Sequence, residues 1–585
     1  MENEEMTTPT TDADRRRIGV YICHCGGNIS DFVDVAAVRD AVAADDNVVH
    51  AETTLFACSD ATQHDMVERI QRDGLDGLVV ASCSPKLHVP TFRAVARRAG
   101  LNQFQYTQVN IREQCSWVHS DDRPGATAKA AGLVRAGIGH ASLSVPLEPV
   151  TVATVPSALV VGGGVAGLRA AVGLADLGLG VTLIERTDHL GGTVGGLGAM
   201  FPSNQSGREL IAQLVAEVAA RPTITVRLET ELVAKSGTFG NYEVGLQGPA
   251  GTDPVTATVG VLVIATGFAS YEPALGEFGY GIEGVVTLPE FTAMVDASSG
   301  PLEYRGRPVG SIAYVYCVGS RQPGGNEYCS KYCCTATAHV AVQVAALDER
   351  VAQYHLYRDV RTYGVYELLY EEARKRGSVY LKYADDEPPA VERRGDQLVV
   401  TARDTLTSSD ELEIPVDLVV LVTGMVPAEN HDLTKLLKLP LGSDGFYNEI
   451  HPKLRPVETV VDGVMIAGTC QGPKPATEAV SGGLAAVTQS AGILKRGFAE
   501  LDPLVATVNE AACTGCGACL TTCPYDAISS YVCDTGQKAL VSAANCKGCG
   551  GCVPVCPDDA IDLLGYTSAQ MLAAIDGLAT TGVLA

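Results

Sequence analysis

Ala158-Leu-Val-Val-Gly-Gly-Gly-Val-Ala-Gly167 is a short apolar run that feeds directly into a glycine-rich turn. The order reads as a strand over Ser157–Val161 followed by a helix over Val165–Leu177, which sets the fold class as α/β. Gly162, Gly164 and Gly167 give the spacing G-x-G-x-x-G. The glycines make the turn, let a pyrophosphate approach the backbone, and bring helix and strand close together. The phosphates are expected at the helix N-terminus, beside Val165 and Ala166, where unpaired N–H groups favour an anion. A second apolar run, Val181–Ile184, ends at Glu185, the acid expected to hold ribose hydroxyls, with Arg186 next to it. The stretch therefore predicts a dinucleotide site.

Two stretches further along bear on which dinucleotide. Leu190-Gly-Gly-Thr193 and Val261-Leu-Val-Ile-Ala-Thr-Gly267 resemble the two-dinucleotide-binding flavoproteins of the thioredoxin-reductase branch. In that family both motifs border FAD, so the resemblance implies FAD and adds Gly191, Gly192, Thr193, Ala265, Thr266 and Gly267 as contacts. Gly463-Val-Met-Ile-Ala-Gly468 matches the family strand that approaches the flavin, but Thr469-Cys470 replaces its usual aspartate. Pro475-Ala-Thr-Glu-Ala-Val480 begins a helix whose N-terminus would face the isoalloxazine ring, so Gly468 and Thr477 join the candidates.

Near the C-terminus the spacing C-x2-C-x2-C-x3-C-P occurs twice, as Cys513, Cys516, Cys519, Cys523, Pro524 and as Cys546, Cys549, Cys552, Cys556, Pro557. Three closely spaced thiolates wrap one cubane, and the fourth cysteine of each run reaches across to the other cluster. The expected ligand sets are Cys513, Cys516, Cys519 and Cys556 for one [4Fe–4S] cluster, and Cys546, Cys549, Cys552 and Cys523 for the other. A pair of zinc knuckles is disfavoured by the duplicated cassette with its terminal proline. This is a bacterial-type two-cluster ferredoxin domain, a conduit for single electrons.

Two less regular cysteine sets remain. Thioredoxin-reductase-like proteins carry a second nucleotide unit for NADPH, and its place here is held by the strand Ser311–Ser320 and a helix from about Thr335. No G-x-G-x-x-G separates them; Cys317, Cys329, Cys333 and Cys334 stand there, with Tyr328 and Tyr332 interleaved. A further cluster, a redox disulfide and inert thiols are the open readings, and direct hydride uptake from NAD(P)H is not expected. In the first part of the chain, strands are predicted at Ile18–Ile22, Thr53–Ala57, Leu78–Ser82 and Tyr106–Asn110, and helices at Ala61–Arg72, Lys86–Ala99 and Ala126–Ala141. Cys23, Cys25, Cys58, Cys83 and Cys115 follow successive strands, and the C-terminal ends of parallel strands converge on one crevice. Candidate ligands are Cys25, Cys58, Cys83 and Cys115, with the choice between Cys23 and Cys25 open, against a reading as buried core thiols. Trp117, the single tryptophan, is expected to pack beside them.

Composition bounds the rest. The 585 residues suffice for several domains, and 46% are hydrophobic. The net charge of −25 argues against a nucleic-acid or anionic-membrane surface. Nineteen cysteines in a chain whose first residues, Met1 to Arg17, lack the apolar core of a signal peptide point to cytoplasmic, reduced thiols and metal ligation. No apolar run is long enough to insert in a bilayer. The expected organisation is a disordered tail over 1–17, a small Rossmann-like α/β domain over 18–144, a thioredoxin-reductase-like FAD domain over 145–500, and the ferredoxin domain with a terminal helix over 501–585.

Taken together, Cys23-His-Cys-Gly-Gly-Asn-Ile29, Cys83-Ser-Pro-Lys-Leu-His88, Asn110-Ile-Arg-Glu-Gln-Cys-Ser-Trp-Val-His119, Cys317-Val-Gly-Ser-Arg321 and Tyr328-Cys-Ser-Lys-Tyr-Cys-Cys334 resemble the A-type subunit of heterodisulfide reductase. The resemblance runs from Ile18 to the terminal helix. It implies an oxidoreductase subunit in which FAD is an electron-bifurcating hub within an oligomeric complex. A hydrogenase or dehydrogenase supplies electron pairs; one electron leaves towards ferredoxin and the other towards B- and C-type subunits that reduce a disulfide. Larger members carry an inserted ferredoxin domain, whereas no cysteine lies between Gly192 and Val261 here. The rivals are a non-bifurcating relay, as in quinone-interacting or benzoyl-CoA-reductase-type complexes, and a cluster-based redox sensor or scaffold. No residue is singled out as a catalytic acid or base.

Overall fold

The computed structural model describes residues 16–407 and 410–579. Residues 1–15 of the expected tail lie outside them, while Arg17 is held in place, its N–H donating to Asp76 Oδ1 at 2.7 Å. The chain forms two compact units. One joins the residues up to Thr151 with those from Glu500 onward, and the other is Val152–Ala499. The first and last segments, distant in sequence, thus share a unit.

In the first unit, β1 (Ile18–Cys23), β2 (Val48–Thr54), β3 (Gly77–Ser82) and β4 (Tyr106–Asn110) pair in parallel in the order β2-β1-β3-β4. Four helices accompany them: α1 (Val35–Val42), α2 (Asp60–Asp73), α3 (Pro85–Ala99) and α4 (Arg123–Ser142). The strand expected at Thr53–Ala57 ends at Thr54 instead. Its apolar residues Leu55 and Phe56 are exposed in the following turn, so hydrophobicity there marks a surface patch and not a strand. α1 is a helix that periodicity did not reveal; Asp34 caps it by accepting from Ala37 N.

The C-terminal part of this unit is two small antiparallel ribbons, Ala506–Val508 with Ile561–Leu563 and Ile528–Cys533 with Gly536–Val541, followed by the helix Ser568–Ala579. That helix packs on α4, and two glycines make the close crossing feasible. A Cβ on Gly139 would lie 2.4 Å from Ala573 O, and one on Gly577 would lie 2.7 Å from the Arg135 carbonyl. His140 Nε2 meets Gly565 O at 2.8 Å across the same seam.

Val152–Ala499 contains two five-stranded parallel sheets. In the first, the strands run Ile224–Arg227, Gly180–Ile184, Ser157–Val161, Val261–Ile264 and Val464–Ile466. In the second they run Val285–Thr287, Leu418–Thr423, Ser311–Val318, Ala352–Tyr357 and Val379–Lys382. Each has a three-stranded antiparallel meander in its return connection, over Glu231–Val259 and Ala390–Val416. The repetition is the structural trace of two dinucleotide-binding units, of which only the first keeps the glycine turn. Helix Cys333–Leu347 follows the central strand of the second sheet, starting two residues before its predicted position.

Candidate flavin and iron–sulfur sites

The turn after Val161 opens into a cleft of about 470 Å³. A Cβ on Gly162 would lie 2.4 Å from Ala265 O and one on Gly167 only 1.9 Å from Gly162 O, so both must be glycine for strand and helix to meet. Gly164 has nothing within 4 Å of its would-be Cβ, and it begins helix Val165–Asp176 without a side-chain cap. That leaves free N–H groups facing open space, which suits a pyrophosphate. Glu185 is fixed from both sides: Oε2 accepts from Gly163 N at 2.7 Å, and Oε1 from Thr187 N at 3.0 Å.

The cleft is lined by Gly162, Gly164, Val165, Ala166, Glu185, Arg186, Gly191, Gly192, Thr193, Ala265, Thr266 and Gly267. Gly167, Gly468 and Thr477 do not line it. The first two act in packing, and Thr477 Oγ1 instead meets Tyr366 OH at 3.2 Å. Of Thr469-Cys470, only Thr469 reaches the cleft. Cys470 turns inward, donates to Ala467 O and Ile264 O, and burial pushes its thiol up to about 11. Sequence reasoning missed the far wall, made by Tyr332 just before the second sheet's helix, by Ala336, His339 and Val340 within it, and by Lys474 ahead of helix Ala476–Leu494. Only a helical repeat at i, i+3, i+4 hinted at such a face. Burial lowers the pKa of both His339 and Lys474.

Cys333 and Cys334 open the helix that lines the cleft, and Cys317 ends the strand before it. Cys317 holds a left-handed backbone (φ 63°) where the pairing with Leu418–Thr423 breaks register, a bulge that re-aims its side chain. Tyr328 OH and Tyr332 OH donate to Met425 O and Thr423 O, pinning the loop with Cys329 to the sheet end. Burial raises Cys317, Cys333 and Cys334, and the charges of Cys317 and Cys329 bear on both Cys333 and Cys334. Ser320 Oγ, Arg321 Nη1, Thr335 Oγ1 and Arg358 Nε, all on residues flanking or facing this set, are buried with no hydrogen-bond partner among the described residues. Unpaired buried donors fit an anionic group with several acceptors, as a thiolate-bound cluster is.

At the C-terminus, Cys513, Cys516, Cys519 and Cys556 line one small cavity, and Cys523, Cys546, Cys549 and Cys552 line another. The two halves match in detail. Ala527 N donates to Cys523 Sγ at 3.4 Å, and Ala560 N to Cys556 Sγ at 3.3 Å. Gly515 and Gly548, both at positive φ, would place a Cβ 2.2 Å from Gln537 O and 2.3 Å from Leu504 O. Sulfurs that accept backbone N–H bonds and glycines that let the loop curl form a cradle for a cube. Cys533, outside the cassette, bonds Thr535 Oγ1 and Gly536 O.

The N-terminal set differs from its expectation. Past the C-terminal ends of β1, β2 and β3, Cys23 lies within electrostatic reach of Cys25, Cys58 and Cys83, and Cys83 also of Cys25. Cys23 Sγ accepts from Cys25 N at 3.2 Å and Ala57 N at 3.3 Å, and Cys25 Sγ accepts from Arg112 Nη1 at 3.5 Å. Cys115 is not among them. It lies on a π-helical turn over Arg112–Ser116 and is buried, like Cys23, but the charge it feels is Lys129 and not another thiol. Trp117 does stand beside the group, half-exposed, with the Arg112 guanidinium 4.7 Å above its ring.

An FAD-dependent iron–sulfur oxidoreductase is the class this fold and these sites define. Residues 158–243 match the family model "FAD dependent oxidoreductase", and residues 506–563 the model "4Fe-4S dicluster domain". An A-type iron–sulfur subunit of the CoB–CoM heterodisulfide reductase of Methanopyrus kandleri is 34% identical over 599 residues, covering 88% of this chain and 91% of its own. The A-type subunit of the H2:CoB–CoM heterodisulfide,ferredoxin reductase of Methanothermobacter thermautotrophicus is 34% identical over 601 residues, covering 88% and 90%. The chain belongs to this family, the A-type subunits of heterodisulfide reductase, and its cofactors are FAD and [4Fe–4S] clusters. Among solved structures, a thioredoxin reductase of T. acidophilum is 17% identical and covers 58% of this chain and 99% of its own, at a TM-score of 0.40. Among the described residues, no helix is long and apolar enough to cross a membrane.

Proposed function

We propose that this chain is the flavin hub of a cytoplasmic heterodisulfide-reductase-like complex. It would split or merge electron pairs between a hydrogenase- or dehydrogenase-type donor, ferredoxin, and B- and C-type subunits that act on a disulfide. The observation that carries this reading is helix Cys333–Leu347. Its first turn supplies two cysteines of the central set, and Ala336, His339 and Val340 wall the flavin cleft. A group that exchanges electrons in pairs and one that exchanges them singly would thus be neighbours on one rigid element.

The ligand sets we propose are Cys513, Cys516, Cys519 and Cys556; Cys546, Cys549, Cys552 and Cys523; Cys317, Cys329, Cys333 and Cys334; and, in place of the set with Cys115, Cys23, Cys25, Cys58 and Cys83. Gly162, Gly164 and the first turn after Val165 would hold the pyrophosphate of FAD, and Glu185 the ribose. When bound, the flavin supplies the two-electron to one-electron conversion. Tyr332, Ala336, His339 and Lys474 close the far end of its cleft against water.

Iron and labile sulfide per FAD test the cofactor count. About sixteen irons are expected for four cubanes, and about eight would leave only the ferredoxin cassette filled. Crossed one-electron potentials of the flavin, with the second step easier than the first, are expected for bifurcation. Well-separated, uncrossed steps would leave a relay. That second reading has its own support. The alignment with the Methanopyrus protein runs over more positions than this chain has residues, and no cysteine lies between Gly192 and Val261. A wire with fewer clusters has fewer exits.

A further inference from the structure

The four central cysteines sit among fixed positive charge. Arg321 follows Cys317 by one tight turn and holds a left-handed backbone (φ 58°), a conformation unfavourable for a non-glycine residue. The turn brings its guanidinium back towards Cys317. Nη2 donates to Asp359 Oδ2 at 2.8 Å, while Nη1 is buried without a partner among the described residues. Arg358 stands behind it, its Nη1 donating to Arg321 O at 2.6 Å and its Nε, without a hydrogen-bond partner among them, 3.7 Å from the exposed Asp385 carboxylate. The Asp359 carboxylate is divided between Arg321 and Lys382 Nζ at 3.4 Å, so it does not neutralise the group. The residues lining the two C-terminal cavities include one lysine each, Lys538 and Lys547, and no arginine.

We propose that Arg321, backed by Arg358, sets the reduction potential of the central cluster and makes it the electron-accepting arm beside the flavin. This rests on the reading that Cys317, Cys329, Cys333 and Cys334 hold a cluster. One electron enters such a cluster, no bond breaks and no proton is required. The added negative charge is favoured by a nearby guanidinium and by N–H donors aimed at the sulfurs, so the potential rises. Arg321 is a positioning residue: it acts through the cluster and touches no substrate.

The test is a redox titration of the full chain with its cofactors, followed by EPR. Arg321→Gln is expected to lower the midpoint of one signal, with reduction about tenfold less favourable, roughly 59 mV for a one-electron couple. Iron per FAD stays unchanged. Asp359→Asn removes the opposing carboxylate and is expected to move the same signal upward. An unchanged midpoint in Arg321→Gln, or shifts of the two variants in the same direction, overturns the proposal. Cys329→Ala separates it from the reading beneath it. If that variant loses no iron, there is no central cluster and both fall. If it loses about four irons but Arg321→Gln leaves the midpoint in place, only the role of Arg321 falls. Should Arg321→Gln itself lose iron, Asp359→Asn carries the test alone, and the absence of an upward shift overturns it.

Discussion

Nε2 of His339 lies 2.7 Å from Oδ1 of Asn204, tying the helix that begins at Cys333 to the loop on the opposite side of the flavin cleft. Asn204 holds a left-handed backbone (φ 59°) to present that amide, and Phe201 meets the imidazole edge-on. One hydrogen bond therefore couples two segments far apart in sequence, both of them at the cleft.

His339→Ala should weaken FAD binding about tenfold, equivalent to about 1.4 kcal/mol, because it removes the bond and part of the cleft wall. Asn204→Ala should do less, since the imidazole remains. Quenching of flavin fluorescence as FAD is added to the apoprotein measures both. Affinity equal to that of the unmodified chain in His339→Ala would show that the cleft wall contributes nothing.

Cys556 belongs to the second cassette by sequence but to the first cavity in space. Cys556→Ala should therefore abolish the cluster built on Cys513, Cys516 and Cys519 while leaving that on Cys546, Cys549 and Cys552. Iron per FAD falls by about four, and the magnetic coupling between the two C-terminal clusters disappears from the EPR spectrum.

The N-terminal set gives a paired comparison. Cys23→Ala should cost about four irons, whereas Cys115→Ala should keep them all. The second variant leaves a small cavity in the core, and a loss of roughly 1 kcal/mol in stability is expected from denaturant unfolding. Loss of iron from the Cys115 variant would restore it as a ligand.

His355 is fully buried between the rings of Tyr314 and Tyr380, and desolvation holds its pKa down at about 3. Its folded pKa lies below the unfolded value of about 6.5, so the unfolded chain binds the extra proton first as pH falls. Stability from this group is intact above pH 6.5 and is lost progressively down to about pH 3, amounting to about 2 kcal/mol by pH 5. His355→Phe should flatten that part of the stability profile. A profile of unchanged slope would mean that other groups cause the acid sensitivity.

Much of this protein is legible in its sequence wherever the chemistry is local. The strand and turn over Ser157–Gly167 and the duplicated cassette place their chemistry within a dozen residues. Their geometry follows from backbone rules alone, because only glycine tolerates the close approach of Gly162 to Ala265 O or of Gly515 to Gln537 O. The position of β2 is hidden for the opposite reason. Leu55 and Phe56 are apolar but face solvent, and a single sequence does not distinguish a surface patch from a strand.

By itself, then, the sequence determined the α/β class, the flavin turn, the ferredoxin cassette and the presence of cysteines where a nicotinamide site would lie. The tertiary structure decided which cysteines meet and what surrounds them. Cys115, on the π-turn at Arg112 to Ser116, feels the charge of Lys129 and not that of Cys23, Cys25, Cys58 or Cys83. A bulge at Cys317 and a turn through Arg321 bring positive charge to the central set, and helix Cys333–Leu347 carries that set to the wall of the flavin cleft. Each depends on where a backbone bends and what packs behind it, and those energies come from contacts between residues tens to hundreds of positions apart.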